Sequence, residues 1–565
     1  MLVIFIRITH AMKSHVYKVA DYLLDRLAQM GIKHLFGVPG DYNLQFLDHV
    51  IAHPQITWVG CANELNAAYA ADGYARTQPA AALLTTMGVG ELSAINGVAG
   101  SFAEYLPVIH IVGAMTLHSQ RKKDLMHHSL GDGDFNHFSR MAAEISCAQA
   151  FITQENAATE IDRVLVAALF HRKPVYLLMP ADVVEAPLHA YPNDLELQSP
   201  LLSPASLHAF TLAARELLTS AHQVSVLADF LVDRFGATEV LRGWLSQTHL
   251  TCSTLLMGKG VIDESRAEFM GTYSGASSEI VVRQAIENAD VLIMLGVWFV
   301  DTITCGFSQQ IPMEKRIDIQ PFEARVGSQI FSQIPMVVAI AALEEITLDL
   351  QRNWSQPDFV PLPLQPSSSG LLDQQSFWHQ IQGFLRSEDV VICDVGSSSF
   401  GAASLRLPKN VTFIVQPMWS SIGYSLPAAY GVQTGSPQRR VILIIGDGAA
   451  QLSIQELGSM LRDGLKPIIL LLNNNGYTVE RAIHGENQPY NDISAWNWTQ
   501  LPQAFGAGNE VISLKVSKPE QLQKALQLAD QNSQLVFIEV ILPQMDIPPL
   551  LRKVTEALRN RNAST

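Results

Sequence analysis

Two short apolar runs, Val441–Ile445 and Ile468–Leu472, constrain this chain more than any other feature. The first is rich in β-branched side chains and stops at Gly446, the pattern of a strand buried on both faces in a parallel sheet. Between the runs, Ser453 and Glu456 have capping-box spacing. Ile454, Leu457, Met460 and Leu461 share one helical face, and Gly464 closes that helix. The stretch therefore predicts a strand–helix–strand unit. Its polar residues cluster just past both strands, where open α/β sheets bind ligands.

Asp447 and Asn474 lie 27 residues apart, one crossover, so they are expected to emerge side by side. A carboxylate, an amide oxygen and free backbone carbonyls suit a hard cation such as Mg²⁺, which usually binds ligand phosphates as well. Gly446, Gly448 and Gly476 would let the backbone approach those phosphates. A plain strand-end turn, with Asp447 and Asn474 bonding locally, is the alternative. The paired Asn-Asn-Asn-Gly after the second strand counts against it.

The same alternation runs through the rest of the chain. Val16, Val19, Ala20, Leu23, Leu24 and Leu27 form a helical face ended by Gly31, and His34–Phe36 reads as a strand leading to Asp41. Further strands are expected at Ile56–Val59, Ala81–Thr85 and Pro107–Val112, with Asn63 capping a helix that begins at Glu64. Segments rich in Pro, Asn and Ser, 188–204 and 354–370, read as linkers. The expected fold class is α/β, with three doubly wound parallel-sheet domains near 12–190, 200–355 and 370–550. The middle third has no Gly-x-Gly-x-x-Gly, so a dinucleotide there has no sequence support.

The balance of 38 basic and 53 acidic residues, net −15 with no basic tract, argues against nucleic acid and anionic membranes as partners. Five scattered cysteines without Cys-x-x-Cys spacing point away from disulfides and zinc, and towards the cytoplasm. No run approaches the ~20 apolar residues of a membrane span. Recognisable pattern begins just after Met12, which is therefore an alternative start to Met1.

Gly446-Asp447-Gly448 followed by Asn473-Asn474 resembles the metal and diphosphate motif of thiamine-diphosphate enzymes. The continuation Asn-Gly-Tyr-Thr-Val-Glu-Arg-Ala-Ile-His-Gly resembles the 2-keto acid decarboxylases, indolepyruvate decarboxylase most closely. The resemblance spans about Val16 to Leu551. It implies thiamine diphosphate and Mg²⁺ as cofactors, with Asp447, Asn474 and Gly476 at the metal. Ser397, Ser420, Ile422, Gly446, Asp447, Gly448, Ala449, Asn474 and Gly476 would lie against the cofactor. Glu64 would bond the aminopyrimidine ring, and a helix made mostly of Ala and Leu would desolvate it and raise its pKa.

His127-His128 matches the twin-histidine motif that separates these decarboxylases from carboligating synthases. With Asp41 and Glu480 the pair would form an acid–base cluster, for which imidazole, with an unperturbed pKa of ~6.5, is suited. Adjacent histidines without His-x₃-His spacing make a zinc site improbable. Taken alone, Glu64 fits a helix-start acid, the histidines fit a loop, and Glu480 fits a solvent-facing helix.

Two departures from the motif matter. Ser420 stands where relatives have Gly, and would cost ~1–2 kcal/mol if its backbone is left-handed. Val395 replaces a Gln beside the cofactor. Val479, smaller than the Ile of strict pyruvate decarboxylases, and Phe400 complete the expected substrate pocket. The expected activity is conversion of a 2-keto acid, an arylpyruvate such as indolepyruvate or phenylpyruvate, to the aldehyde and carbon dioxide. Pyruvate and branched-chain 2-keto acids are the alternative substrates; a carboligating synthase and a non-catalytic paralogue are the rival functions. The resemblance also implies a homodimer with Asp41, Glu64 and His128 of one subunit facing Asp447 and Glu480 of the other, and a homotetramer of such dimers.

Overall fold

A computed structural model describes residues 16–189, 193–350, 354, 364–365, 370–508, 510–531 and 533–563. Both candidate start residues and most of the second linker lie outside the described residues. Three sheets form, one in each third of the chain. The N-terminal sheet runs Thr57–Gly60, His34–Gly37, Ala81–Thr86, Val108–Ala114, Val175–Pro180, Ala148–Phe151, all parallel. The C-terminal sheet runs Thr412–Ile414, Val390–Cys393, Val441–Gly446, Ile468–Asn473, Leu535–Ile541, Val511–Val516, also all parallel. Numbered within its own domain, each sheet has the strand order 2-1-3-4-6-5, so the first and last thirds share one topology without a sequence repeat.

The central sheet has seven strands. Val224–Ala228, Thr251–Thr254, Phe269–Thr272, Val291–Leu295 and Arg316–Gln320 are parallel, and Glu323–Val326 and Gln329–Ser332 add an antiparallel edge. The central strands of the C-terminal sheet are apolar on both faces because helices cover both sides; every residue of Val441–Ile445 and Ile468–Leu472 is buried.

The N- and C-terminal domains meet along two helices, Glu64–Ala75 and Ser425–Gly435. Their backbones touch: a Cβ on Gly431 would lie 1.8 Å from the Ala70 carbonyl oxygen, and one on Gly73 would lie 2.3 Å from that of Ala428. Glycine is required at both crossings because nothing larger fits. This packing fixes the strand-end loops of one domain relative to those of the other.

Two local expectations are corrected. The first helix is Val19–Gln29, and Val16 lies outside it, exposed. The helix after Asp447 has no capping box. It spans Glu456–Arg462, while the Ser453 hydroxyl donates to the Gly423 carbonyl at 2.6 Å and the Glu456 carboxylate accepts from the Ala62 amide at 3.2 Å. Both side chains are used for tertiary contacts instead. Asn63 does cap its helix, accepting from the Asn66 amide at 2.8 Å.

Candidate active site

The strand-end loops of the C-terminal domain form one polar cluster. Asp447 follows its strand directly and is 2 % exposed. Its carboxylate accepts from the amides of Gly448 at 2.9 Å and Gly476 at 3.0 Å. Burial outweighs these bonds and raises the carboxyl to about 6. The Asn474 amide packs one atom 3.2 Å from Asp447 Oδ1 and 3.1 Å from the Gly476 carbonyl oxygen, and the other 3.1 Å from Thr478 Oγ1. With its nitrogen towards Asp447 it hydrogen-bonds within the chain. Turned about, it brings three oxygens to one point with no proton between them, a donor set that fits a hard cation.

Backbone shape supports this cluster. Asn475 and Gly476 have φ of 62° and 118°, and a Cβ on Gly476 would lie 2.3 Å from the Asn491 carbonyl oxygen. A Cβ on Gly446 would meet nothing within 4 Å, so the chain leaves open space beside the strand end. Gly448 is closed in by the Tyr477 ring, which a Cβ there would meet at 2.7 Å, and Ala449 lies buried in the short helical turn Asp447–Ala450.

The adjacent strand, Val390–Cys393, delivers Asp394, Val395 and Gly396. Gly396, at φ 126°, starts the turn into the helix Ser397–Ala402. Val395 and Ser397 are half-buried. Ser420 has φ 59°, the left-handed conformation considered from sequence, and its hydroxyl donates to the Pro417 carbonyl at 2.6 Å. Ile422 is half-buried and packs against the core shared by the outer domains. Val479 lies 3.5 Å from where a Gly396 Cβ would sit. It joins a small apolar cluster of Phe400, Ala482, Ile547, Leu551 and Val554. Phe400 is buried in that cluster, covered by the helix Pro549–Ala563. Glu480 is exposed, yet partial burial raises its carboxyl.

A second cluster lies at the strand ends of the N-terminal domain. His127 Nε2 is 2.8 Å from Asp41 Oδ2, and His128 Nε2 is 3.8 Å from Asp41 Oδ1. The two imidazoles meet edge-on with centroids 4.5 Å apart. His128 has φ 59°, and Gly88 is needed opposite it because a Cβ there would lie 2.3 Å from the His128 carbonyl oxygen. Glu64 sits over the next helix, its Oε1 3.3 Å from a Cβ built on Gly90. It is half-buried, a correction to the buried carboxyl expected. Burial becomes complete only from Asn66 onward, so Glu64 and Leu65 at the helix start stay half-buried while the rest of the helix is enclosed.

Several supporting groups escaped the sequence reading. Glu91, raised to about 7 by burial, accepts from the Gly88 amide at 2.8 Å and the Tyr176 hydroxyl at 2.9 Å. Asp394, raised to about 6 by burial, accepts from the amides of Gly423 and Ser425. Tyr42 bonds His127. The available signal was position alone: an acid directly after an apolar run for Asp394, and adjacency to Asp41 for Tyr42. Among the described residues no hydrogen bond or ion pair joins Asp41, Glu64, His127 or His128 to Asp447, Asn474 or Glu480 within one chain.

Comparison with known proteins gives this arrangement a class. Residues 17–137 match the N-terminal TPP-binding domain, 394–540 the C-terminal TPP-binding domain and 212–346 the central domain of thiamine pyrophosphate enzymes. Alpha-keto-acid decarboxylases of Mycobacterium tuberculosis and Mycobacterium bovis are 47% identical over 561 residues, covering 97% of this chain and 98% of theirs. That of Mycobacterium ulcerans is 47% identical over 549 residues, 96% of each chain. The fold and cofactor class are those of a thiamine pyrophosphate enzyme. More narrowly, the chain belongs to the thiamine-diphosphate-dependent 2-keto acid decarboxylases and is a carboxy-lyase.

Proposed function

We propose that the chain converts an arylpyruvate, phenylpyruvate or indolepyruvate, to its aldehyde and carbon dioxide with Mg²⁺ as the second cofactor. The observation that carries the aromatic reading is the wall formed by Val479 against Gly396, continuous with the Phe400 cluster. An aromatic side chain buries ~150–250 Å² and gains far more from such a wall than the methyl group of pyruvate does.

In this reading Asp447, Asn474 and the Gly476 carbonyl would hold Mg²⁺, and the open space at Gly446 would take the diphosphate, with Gly448, Ala449 and Ser397 around it. Ser420 would offer its carbonyl to the cofactor's amine, Ile422 would prop the cofactor, and Glu64 would bond its pyrimidine. Bound thiamine diphosphate supplies the electron sink for loss of carbon dioxide. The chain's own groups bind and orient the acid, exclude water and deliver a proton. Asp41, His128 and Glu480 would deliver the proton, and Val395 and Val479 would face the side chain of the substrate, with Phe400 behind Val479.

Asp41 and His127 are about half exposed in one chain, at 49% and 57%. Proton delivery in a dry cavity needs them covered, which supports a homodimer that brings Asp447 and Glu480 of a second copy over them, and a tetramer of such dimers. The cysteines are all free, as suits a cytoplasmic enzyme. Among the described residues no helix is long and apolar enough to cross a membrane.

A coupled alcohol dehydrogenase assay of phenylpyruvate, indolepyruvate and pyruvate, with and without Mg²⁺, tests the reading. A higher kcat/KM for either aromatic acid is expected. A kcat/KM for pyruvate above both, or for a branched-chain acid above all three, overturns it.

A further inference from the structure

The His127 ring is held at both nitrogens. Nε2 faces Asp41 Oδ2 at 2.8 Å. Nδ1 lies 3.2 Å from the Tyr42 hydroxyl oxygen, which also donates to the His127 carbonyl at 3.1 Å. A phenol has one proton. Spent on the carbonyl, it leaves the oxygen's lone pairs facing Nδ1, a contact completed when Nδ1 carries the hydrogen. In neutral imidazole that leaves Nε2 bare, aimed at Asp41.

We propose that Tyr42 is a positioning residue that fixes His127 in the Nδ1–H tautomer, making Nε2 the atom that exchanges a proton with Asp41. The inference rests on the reading of Asp41 and the twin histidines as acid–base groups. The step balances within the pair. A proton on Asp41 Oδ2 passes to Nε2, giving carboxylate and imidazolium, and returns when Asp41 is to act again as an acid. Nδ1–H stays on Tyr42 throughout, so no heavy atom moves. With both nitrogens occupied, His127 does not touch the substrate, and Asp41 and His128 are left as the groups that can.

Tyr42 is suited to this by burial. Its side chain is 7% exposed, and burial first, then the nearby Asp41 charge, raise its phenol, so it keeps its proton. Its ring lies 4.9 Å from the His127 ring and 5.9 Å from that of His128. The titratable groups that bond, pair or stack with His127 are Asp41 and Tyr42 from the loop after the first strand, and His128 from its own loop. Met126, Phe135 and Phe138, which pack in the same cluster, are apolar.

Tyr42→Phe keeps the ring contacts and removes the acceptor. Imidazolium loses a charge-assisted bond, and neutral His127 is free to place its hydrogen on Nε2, where it cannot take the proton from Asp41. The expected results are a kcat reduced ~10-fold or more with KM nearly unchanged, and a pH–rate limb moved ~0.5–1 unit towards acid. Labelling of His127 by diethyl pyrocarbonate, followed by peptide mass spectrometry across pH, should move its midpoint the same way. That readout needs no substrate, so it separates failure of this inference from failure of the arylpyruvate reading. Replacing Tyr42 with 3-fluorotyrosine, a poorer acceptor with the ring intact, should give a smaller shift of the same sign, and serves if Tyr42→Phe does not fold. A parallel loss of kcat and 1/KM with an unchanged profile shape, or an unmoved labelling midpoint in either variant, overturns the proposal.

Discussion

Asp394 accepts from the Gly423 amide at 3.1 Å and from the Ser425 amide and hydroxyl at 3.1 and 2.7 Å, so one buried carboxylate holds the loop that carries Ser420 and Ile422. It follows the first strand of the C-terminal sheet, and the loop follows the second, so a side chain ties the loop down beyond the end of the ladder between them. Asp394→Asn puts an NH2 group where an acceptor is needed, and hydrogen bonds to a charged group are worth ~1.5–3 kcal/mol. Thiamine diphosphate affinity should fall about tenfold or more by fluorescence quenching, with the thermal melt of the cofactor-free protein lowered. Unchanged affinity would show that the loop is held by its other contacts.

Asp447 carries the only formal negative charge among the proposed metal ligands. Asp447→Asn should weaken the Mg²⁺-dependent part of cofactor binding while its neutral amide still fits the buried turn. Titration with cofactor at several Mg²⁺ concentrations separates the two effects. Affinity that keeps its wild-type dependence on Mg²⁺ would place the cation elsewhere.

Glu91 ties the turn at Gly88 to Tyr176, and Gly88 in turn abuts His128. Burial raises its carboxyl from 4.5 to about 7. The folded protein thus holds this proton more tightly than the unfolded chain does. The stability this contributes is complete below about pH 4.5 and is lost as pH rises through about 7. Glu91→Gln mimics the protonated form and still accepts from Gly88. Its stability relative to wild type should rise between pH 5 and 7, by up to about 3 kcal/mol. Parallel denaturation midpoints across that range would mean that Glu91 is ionised in the fold.

Ser420 supplies a comparison of two variants. Alanine removes the hydroxyl bond to Pro417 and keeps the left-handed strain, whereas glycine removes both. Glycine relieves ~1–2 kcal/mol of strain and gives back ~0.4–1 kcal/mol through the freer unfolded chain. Ser420→Gly should therefore be more stable than Ser420→Ala by about 1 kcal/mol in urea denaturation, with activity kept because the carbonyl remains. The reverse order would show that φ relaxes once the hydroxyl is gone.

The parts of this molecule that were legible in sequence are those set by local chemistry. Short β-branched runs stopped by glycine, such as Val441–Ile445, favour buried strands, and one crossover between Asp447 and Asn474 places both at neighbouring strand ends. Asn63 caps its own helix through a bond three residues long. What was missed depends on distant partners. Ser453 and Glu456 fit a cap, but Gly423 and Ala62 compete for them successfully. The desolvation of Glu64 depends on which way its helix faces, and Tyr42 acquires its role only where a loop some 85 residues later folds back onto it. Asp41 and His127 are about half exposed in a single chain, and nothing in their own sequence says what would cover them.

Val479 offers the sharpest test of the substrate pocket. It is half-buried, 3.5 Å from where a Cβ on Gly396 would sit and with the Phe400 cluster behind it, so an added methylene is expected to project into the proposed substrate pocket. One methylene in an apolar pocket changes discrimination by ~1–3 kcal/mol, or about 10–200-fold. Val479→Ile should lower kcat/KM for phenylpyruvate and indolepyruvate by at least tenfold and leave that for pyruvate within about threefold, because only the larger acids reach the wall. Phenylpyruvate should remain at least as good as indolepyruvate in the wild type, since Val395 offers the indole N–H no acceptor. Equal losses for all three acids would place Val479 against the cofactor instead of the substrate's side chain.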